Sequence, residues 1–130
     1  MTILIVEDVD LMRQMLREFL QSAYPDSTIL EAGNAAHALS LCREHRPLLV
    51  LMDVSLPDAN GIELTARLKA MLPDTPVIVV SQHAAQVYID SARAAGAYAY
   101  ITKDTVHREL LPAVAAALAS APPFAQSDEA

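Results

Sequence analysis

The sequence predicts an α/β domain: a doubly wound, five-stranded parallel sheet in the order 2-1-3-4-5 with helices on both faces. Three observations carry this reading. Five short apolar runs recur along the 130 residues, each followed by a stretch with helical spacing. That alternation builds parallel strands joined by right-handed helical crossovers. The runs are continuously apolar rather than alternating, as strands covered on both faces must be. Turn signals separate the units, among them "YPDS" at 24–27 and "PDTP" at 73–76.

Ile3–Val6 is the first strand, and Leu11, Met12, Met15, Leu16, Phe19 and Leu20 give the stripe of the helix behind it. Thr28–Leu30 is a weaker second strand, followed by the "NAAHALSLCREH" helix with Asn34 as its N-cap. Leu48–Met52 is the third; Gly61 and the "IELTARLKAML" helix come next. Val77–Val80 is the fourth, and the helix over 84–95 ends at Gly96, a residue suited to a C-terminal cap. Tyr98–Ile101 is the fifth, and Leu110, Leu111, Val114 and Leu118 mark the last helix. One domain over 1–121 is expected, with the Pro-led acidic stretch at 122–130 a frayed tail or the start of a cut linker.

At 14.0 kDa and 53% hydrophobic residues the chain can bury a proper core. A net charge of −7 argues against direct nucleic-acid binding, which needs a basic face, and fits protein or cation partners. Cys42 is the single cysteine, so no internal disulfide forms. Within a helical pattern it reads as a core filler. No apolar run approaches the roughly 20 residues of a membrane-spanning helix, and "MTILIVED" lacks the features of a signal peptide. A cytoplasmic protein is expected.

Polar residues gather at the ends of the strands. Glu7 and Asp8 follow the first, Asp53 the third, Ser81 the fourth, Thr102 and Lys103 the fifth. In a parallel sheet these ends share one edge, where open α/β proteins bind ligands. With the first and third strands adjacent, Glu7, Asp8 and Asp53 meet in one crevice, with Ser81 and Lys103 on its rim. Three carboxylates so close repel one another unless a proton or a cation intervenes. Magnesium, which prefers carboxylates, a carbonyl and retained waters, resolves the conflict. A metal, an oxygen nucleophile, a hydroxyl and a lysine form equipment for phosphoryl transfer, with Asp53 the acceptor that becomes an acyl phosphate.

The acidic pair "ED" at 7–8, "MDVSLPDANG" around Asp53, Ser81 ending "VIVVS" and Lys103 in "YITKD" occur in order at the right strand ends. Over residues 2–120 the chain resembles the receiver domain of two-component response regulators. The resemblance implies a flavodoxin-like fold and a signalling switch rather than an enzyme. It implies phosphorylation of Asp53 by a histidine kinase or phosphotransfer protein. Asp8, Asp53 and the backbone carbonyl of Ser55 would hold Mg2+, with Glu7 assisting through water. Lys103 would pair with the phosphoryl group, the Ser81 hydroxyl would swing in to bind it, and Tyr100 would change rotamer on activation. The answering surface would contact an output domain or protein partner, and a phosphorylation-dependent homodimer is one arrangement it admits. "ITKD" and "SLPDANG" look like receivers of the NarL/LuxR type, which work in transcription regulation. Most receivers carry proline after the lysine, held cis; here it is Asp104. A cis Lys103–Asp104 bond is expected nonetheless, with Asp104 capping the "TVHRELL" helix.

Blander readings stand beside these. Asp53 alone would be a strand-end cap, and Glu7 and Asp8 could simply cap the first helix; their shared edge with Lys103 reverses the balance. Ser81 suits any helix start, Lys103 any solvated surface and Tyr100 any edge of a core. His37, His45, His83 and His107 lack ligand spacing; His83 and Ser55 matter only as flanks of the phosphoryl group. A haloacid dehalogenase-type enzyme wants a second aspartate two residues after the nucleophile, where Ser55 stands. A flavin carrier wants a glycine- and hydroxyl-rich loop, where Glu7 and Asp8 stand.

Overall fold

A computed structural model describes residues 1–120. Its elements run β1 (Thr2–Val6), α1 (Asp10–Ala23), β2 (Thr28–Ala32), α2 (Ala35–His45), β3 (Leu49–Met52), α3 (Gly61–Met71), β4 (Val77–Ser81), α4 (Gln86–Ala94), β5 (Ala99–Thr102) and α5 (Val106–Ala119). The five strands are parallel and lie in the order β2-β1-β3-β4-β5. The tail expected at 122–130 lies outside the described residues.

Alternate strand residues supply the two faces. Ile3, Ile5, Leu49, Leu51, Ile78 and Val80 pack beneath Leu16 and Leu20 of α1 and Leu110 and Val114 of α5. Leu4, Val6, Val50 and Met52 point the other way, against Ala38, Leu39 and Cys42 of α2 and Leu64 and Leu68 of α3. Cys42 is fully buried, and burial pushes its thiol up to about 11. It carries almost no reactive thiolate at neutral pH, in keeping with a core role.

α4 is covered least. It is nine residues long, buries only Ala92 and has no side-chain N-cap. Gly96 follows it with φ +101, the left-handed geometry that ends helices.

Local departures from the expected pattern have simple causes. Leu11 is 80% exposed and lies in the first turn of α1, whose buried residues Leu16 and Leu20 come later in the helix. Leu111 is exposed while its neighbour Leu110 is buried, since adjacent helical positions are about 100° apart and only one can face the core. β5 begins at Ala99 rather than Tyr98, and β2 runs on to Ala32.

Candidate functional site

The strand register builds the site. Val6 lies opposite Met52, and the Asp53 amide donates to the Val6 carbonyl at 2.9 Å. Glu7 and Asp53 therefore leave adjacent strands side by side. Glu7 is 1% exposed and Asp53 4%, whereas Asp8 is open to solvent. Each offers a carboxylate oxygen, and these oxygens lie within 4.8 Å of one another. Across the sheet, the Lys103 amide donates to Ser81 O at 2.8 Å. The Lys103 amine reaches 2.9 Å from Glu7 Oε1 and 3.5 Å from Asp53 Oδ1.

The charge balance is incomplete. Glu7 Oε2 accepts from the Val9 amide at 3.1 Å. Glu7 Oε1 is buried with no hydrogen-bond partner, and its polar contact is the ion pair with the Lys103 amine. Burial, first, and then the Glu7 carboxylate push Asp53 up to about 7, with Lys103 drawing it partly back. Three carboxylates with a single lysine between them carry excess negative charge, and their oxygens make a donor set that fits a hard divalent cation.

The β3–α3 loop folds tightly back on Asp53. The Gly61 amide donates to the Val54 carbonyl at 2.7 Å, and Ser55 bridges Asn60 across the loop. Asn60 Oδ1 then caps α3, accepting from Ile62 at 2.7 Å and Glu63 at 3.4 Å. At the tip, the Asp58 carboxylate accepts from the Ala35 and Ala36 amides at 2.7 and 3.1 Å. Those two amides hold its carboxyl below the usual aspartate value.

His83 links the other rim. Its ring lies 3.1 Å from Ser55 Oγ and stacks on Tyr88 with centroids 4.3 Å apart. Its amide donates to Ser81 Oγ at 3.0 Å, and its carbonyl accepts from the Tyr100 hydroxyl at 2.7 Å. Ser81 is fully buried and Tyr100 half-buried. Thus Glu7, Asp8, Asp53 and Lys103 share one pocket, while Ser81 and Tyr100 meet through His83 beside it. The aromatic stack and the Asp58 anchor were not foreseen; "PDANG" reads only as a turn, and nothing local ties residue 58 to residue 35.

Two expectations at Asp104 are corrected. No peptide bond among the described residues is cis, so Lys103–Asp104 is trans. The lysine's four-carbon stem reaches both carboxylates from the trans backbone, and the roughly 2.5–4 kcal/mol cost of a non-proline cis bond is avoided. Nor does Asp104 cap α5. The N-cap position falls to Thr105, with no side-chain cap bond, so Asp104 sits one residue too early. The neighbouring Thr102 hydroxyl, first among several contacts, holds its carboxyl below the usual value.

The family model for the response regulator receiver domain matches residues 3–115. The chain belongs to that family. The receiver domain is 36% identical over 111 residues to an uncharacterized transcriptional regulatory protein, YhcZ, of Bacillus subtilis, covering 85% of this chain and 52% of that protein. It is 36% identical over 104 residues to the polar-differentiation response regulator DivK of Brucella anthropi, covering 78% and 83%. Among solved structures it resembles a LuxR-family two-component response regulator from Aurantimonas sp. SI85-9A1, with TM-score 0.84, 30% identity and coverage of 93% and 86%. A CheY-like receiver domain protein from Methanospirillum hungatei gives TM-score 0.83 at 27% identity, covering 99% and 98%. The LuxR-family likeness agrees with the subtype suggested by "ITKD" and "SLPDANG". The chain spans about half the length of the first curated relatives it matches. Among the described residues no helix is long and apolar enough to cross a membrane. As a receiver domain, its part in signalling is that of a phosphorylation-controlled switch.

Proposed function

We propose that Asp53 is the phosphoacceptor of this switch, supplied by a histidine kinase or phosphotransfer protein in a Mg2+-dependent reaction. The observation that carries this is the pocket itself: a buried aspartate flanked by Glu7 and Asp8 and approached by the Lys103 amine. An Asp53 carboxylate oxygen attacks phosphorus as the donor's phosphorus–nitrogen bond breaks. The imidazole departs with the bonding pair and takes up a proton, leaving an acyl phosphate on Asp53. Asp8, Asp53 and the Ser55 carbonyl would hold the cation, with Glu7 assisting through water, and it would supply neutralisation of the negative charge that otherwise opposes the transfer. Lys103 would pair with the phosphoryl oxygens, a reading supported by its amine lying 3.5 Å from Asp53 Oδ1.

The added dianionic charge then competes for the Ser81 hydroxyl, which now accepts from the His83 amide. Moving Ser81 disturbs His83, and through its carbonyl Tyr100. The surface of α4, β5 and α5 would thereby meet its output domain or protein partner differently, or form a phosphorylation-dependent homodimer. A cytoplasmic role in transcription regulation fits the transcriptional regulators among the relatives.

The switch is tested with beryllofluoride and Mg2+ by amide NMR. Shifts are expected from about Ser81 to Asp104, with Tyr100 among the largest. Shifts confined to residues around Asp8, Asp53 and Ser55 would remove the switch reading.

A further inference from the structure

We propose that Asp58 is a positioning residue for the metal site. Its carboxylate, anchored on the first two amides of α2, holds the β3–α3 loop so that the Ser55 carbonyl is presented beside Asp8 and Asp53. This rests on the ligand set proposed above and adds a residue outside it.

The loop has two well-fixed ends, and the Ser55–Asn60 bridge ties the span between them to itself but to no other element. Gly61 seats its α3 end against the Asp53 carbonyl, and the Asp53 amide seats its β3 end on β1. Between them Ser55, Pro57, Asp58 and Asn60 are exposed, and Leu56 and Ala59 only partly covered. Packing alone holds such a span weakly. Two polar ties cross from it to other elements. One is the Ser55–His83 contact toward α4; the other is Asp58, whose two oxygens reach Ala35 and Ala36.

The second tie is the firmer. α2 already has its own cap, Asn34, whose side chain takes the His37 amide at 2.8 Å and whose carbonyl takes Ala38 at 3.1 Å. The amides left over are those of Ala35 and Ala36, and Asp58 takes both. A carboxylate on two helix-leading amides makes charge-assisted bonds at the positive end of the helix dipole. α2 is itself fixed by Ala35, Ala38 and Cys42 in the core. Ser55 is three residues from this anchor and bridges Asn60 two residues beyond it, so releasing Asp58 loosens the hairpin whose Ser55 carbonyl would complete the cation's shell.

The test measures Mg2+ affinity by amide NMR titration of the intact chain. Asp58→Ala should weaken binding roughly 10-fold, the usual cost of removing a support behind a ligand, while the chain stays folded. Asp58→Asn carries no charge but keeps one accepting oxygen for one of the two amides, and should recover part of the loss. In the wild-type chain Mg2+ should shift the Ala35 and Ala36 amides, and in Asp58→Ala it should not. Equal affinities for wild type and Asp58→Ala would overturn the proposal. So would Asp58→Asn binding as poorly as Asp58→Ala, since the effect would then be long-range charge. If the wild-type chain fails to bind Mg2+ at all, the ligand set itself falls, and the anchor has no metal site to position.

Discussion

Gly61→Ala is expected to destabilise the domain by roughly 3 kcal/mol or more, the upper end of overpacking costs. A Cβ built at Gly61 would sit 1.8 Å from the Asp53 carbonyl oxygen, 2.8 Å from its carbon and 2.9 Å from Val54 Cα. All three are backbone atoms at the end of a central strand, so no side-chain rotation can relieve the clash. The backbone at Gly61 has an ordinary φ, and close approach alone demands glycine. Relief would move either the phosphoacceptor backbone or the start of α3, which the Gly61–Val54 and Asn60 bonds hold. The urea midpoint should fall sharply with little change in slope. Gly33→Ala is the contrast: its nearest neighbour is the Arg13 side chain at 3.7 Å, so it should be close to neutral. An unfolding midpoint for Gly61→Ala equal to wild type would show that the loop does not pack on Asp53 as described.

Asp53→Asn is expected to raise the stability of the metal-free domain at pH 8 while leaving no oxygen nucleophile. Burial and Glu7 push Asp53 up to about 7 in the folded chain, against 3.8 as its ordinary value. A carboxyl with a raised folded pKa binds more protons folded than unfolded. Its contribution is therefore fully present below about pH 4 and is lost as pH rises through about 7. Asparagine removes that dependence. The expected gain at pH 8 is on the order of 2–4 kcal/mol at most, with each kcal/mol worth about 4 °C in Tm for a domain of this size. Mg2+ should raise the wild-type Tm at pH 8, do so much less at pH 5, and have little effect on Asp53→Asn. A metal-free Tm for Asp53→Asn below wild type at pH 8 would contradict the electrostatic account.

Much of this was legible because strand ends are fixed by topology. Once five apolar runs alternate with helices, residues 7, 8, 53, 81 and 103 must emerge on one edge, whatever their side chains do. Asn34 was legible as a cap because capping is local in sequence. What escaped depends on distances the pattern does not encode. Asp58 meets Ala35 across 23 positions, and His83 stacks on Tyr88 across the start of α4 at Gln86, where no helical or strand period applies. The Asp104 expectations failed for a related reason. They assumed that the lysine needed the backbone's help, whereas its own reach suffices, and that the helix began a residue earlier than Thr105 allows.

The measurement closest to the central claim is the mass of the chain after phosphodonor treatment. With Mg2+ and acetyl phosphate or phosphoramidate, the intact chain should gain one phosphoryl group, mapped to the peptide carrying Asp53, and should gain none when the metal is chelated before the donor is added. Asp53→Ala should gain none. Labelling of Asp53→Ala to the wild-type extent, or a wild-type chain that stays unlabelled with Mg2+ bound, would contradict the assignment of Asp53 as acceptor.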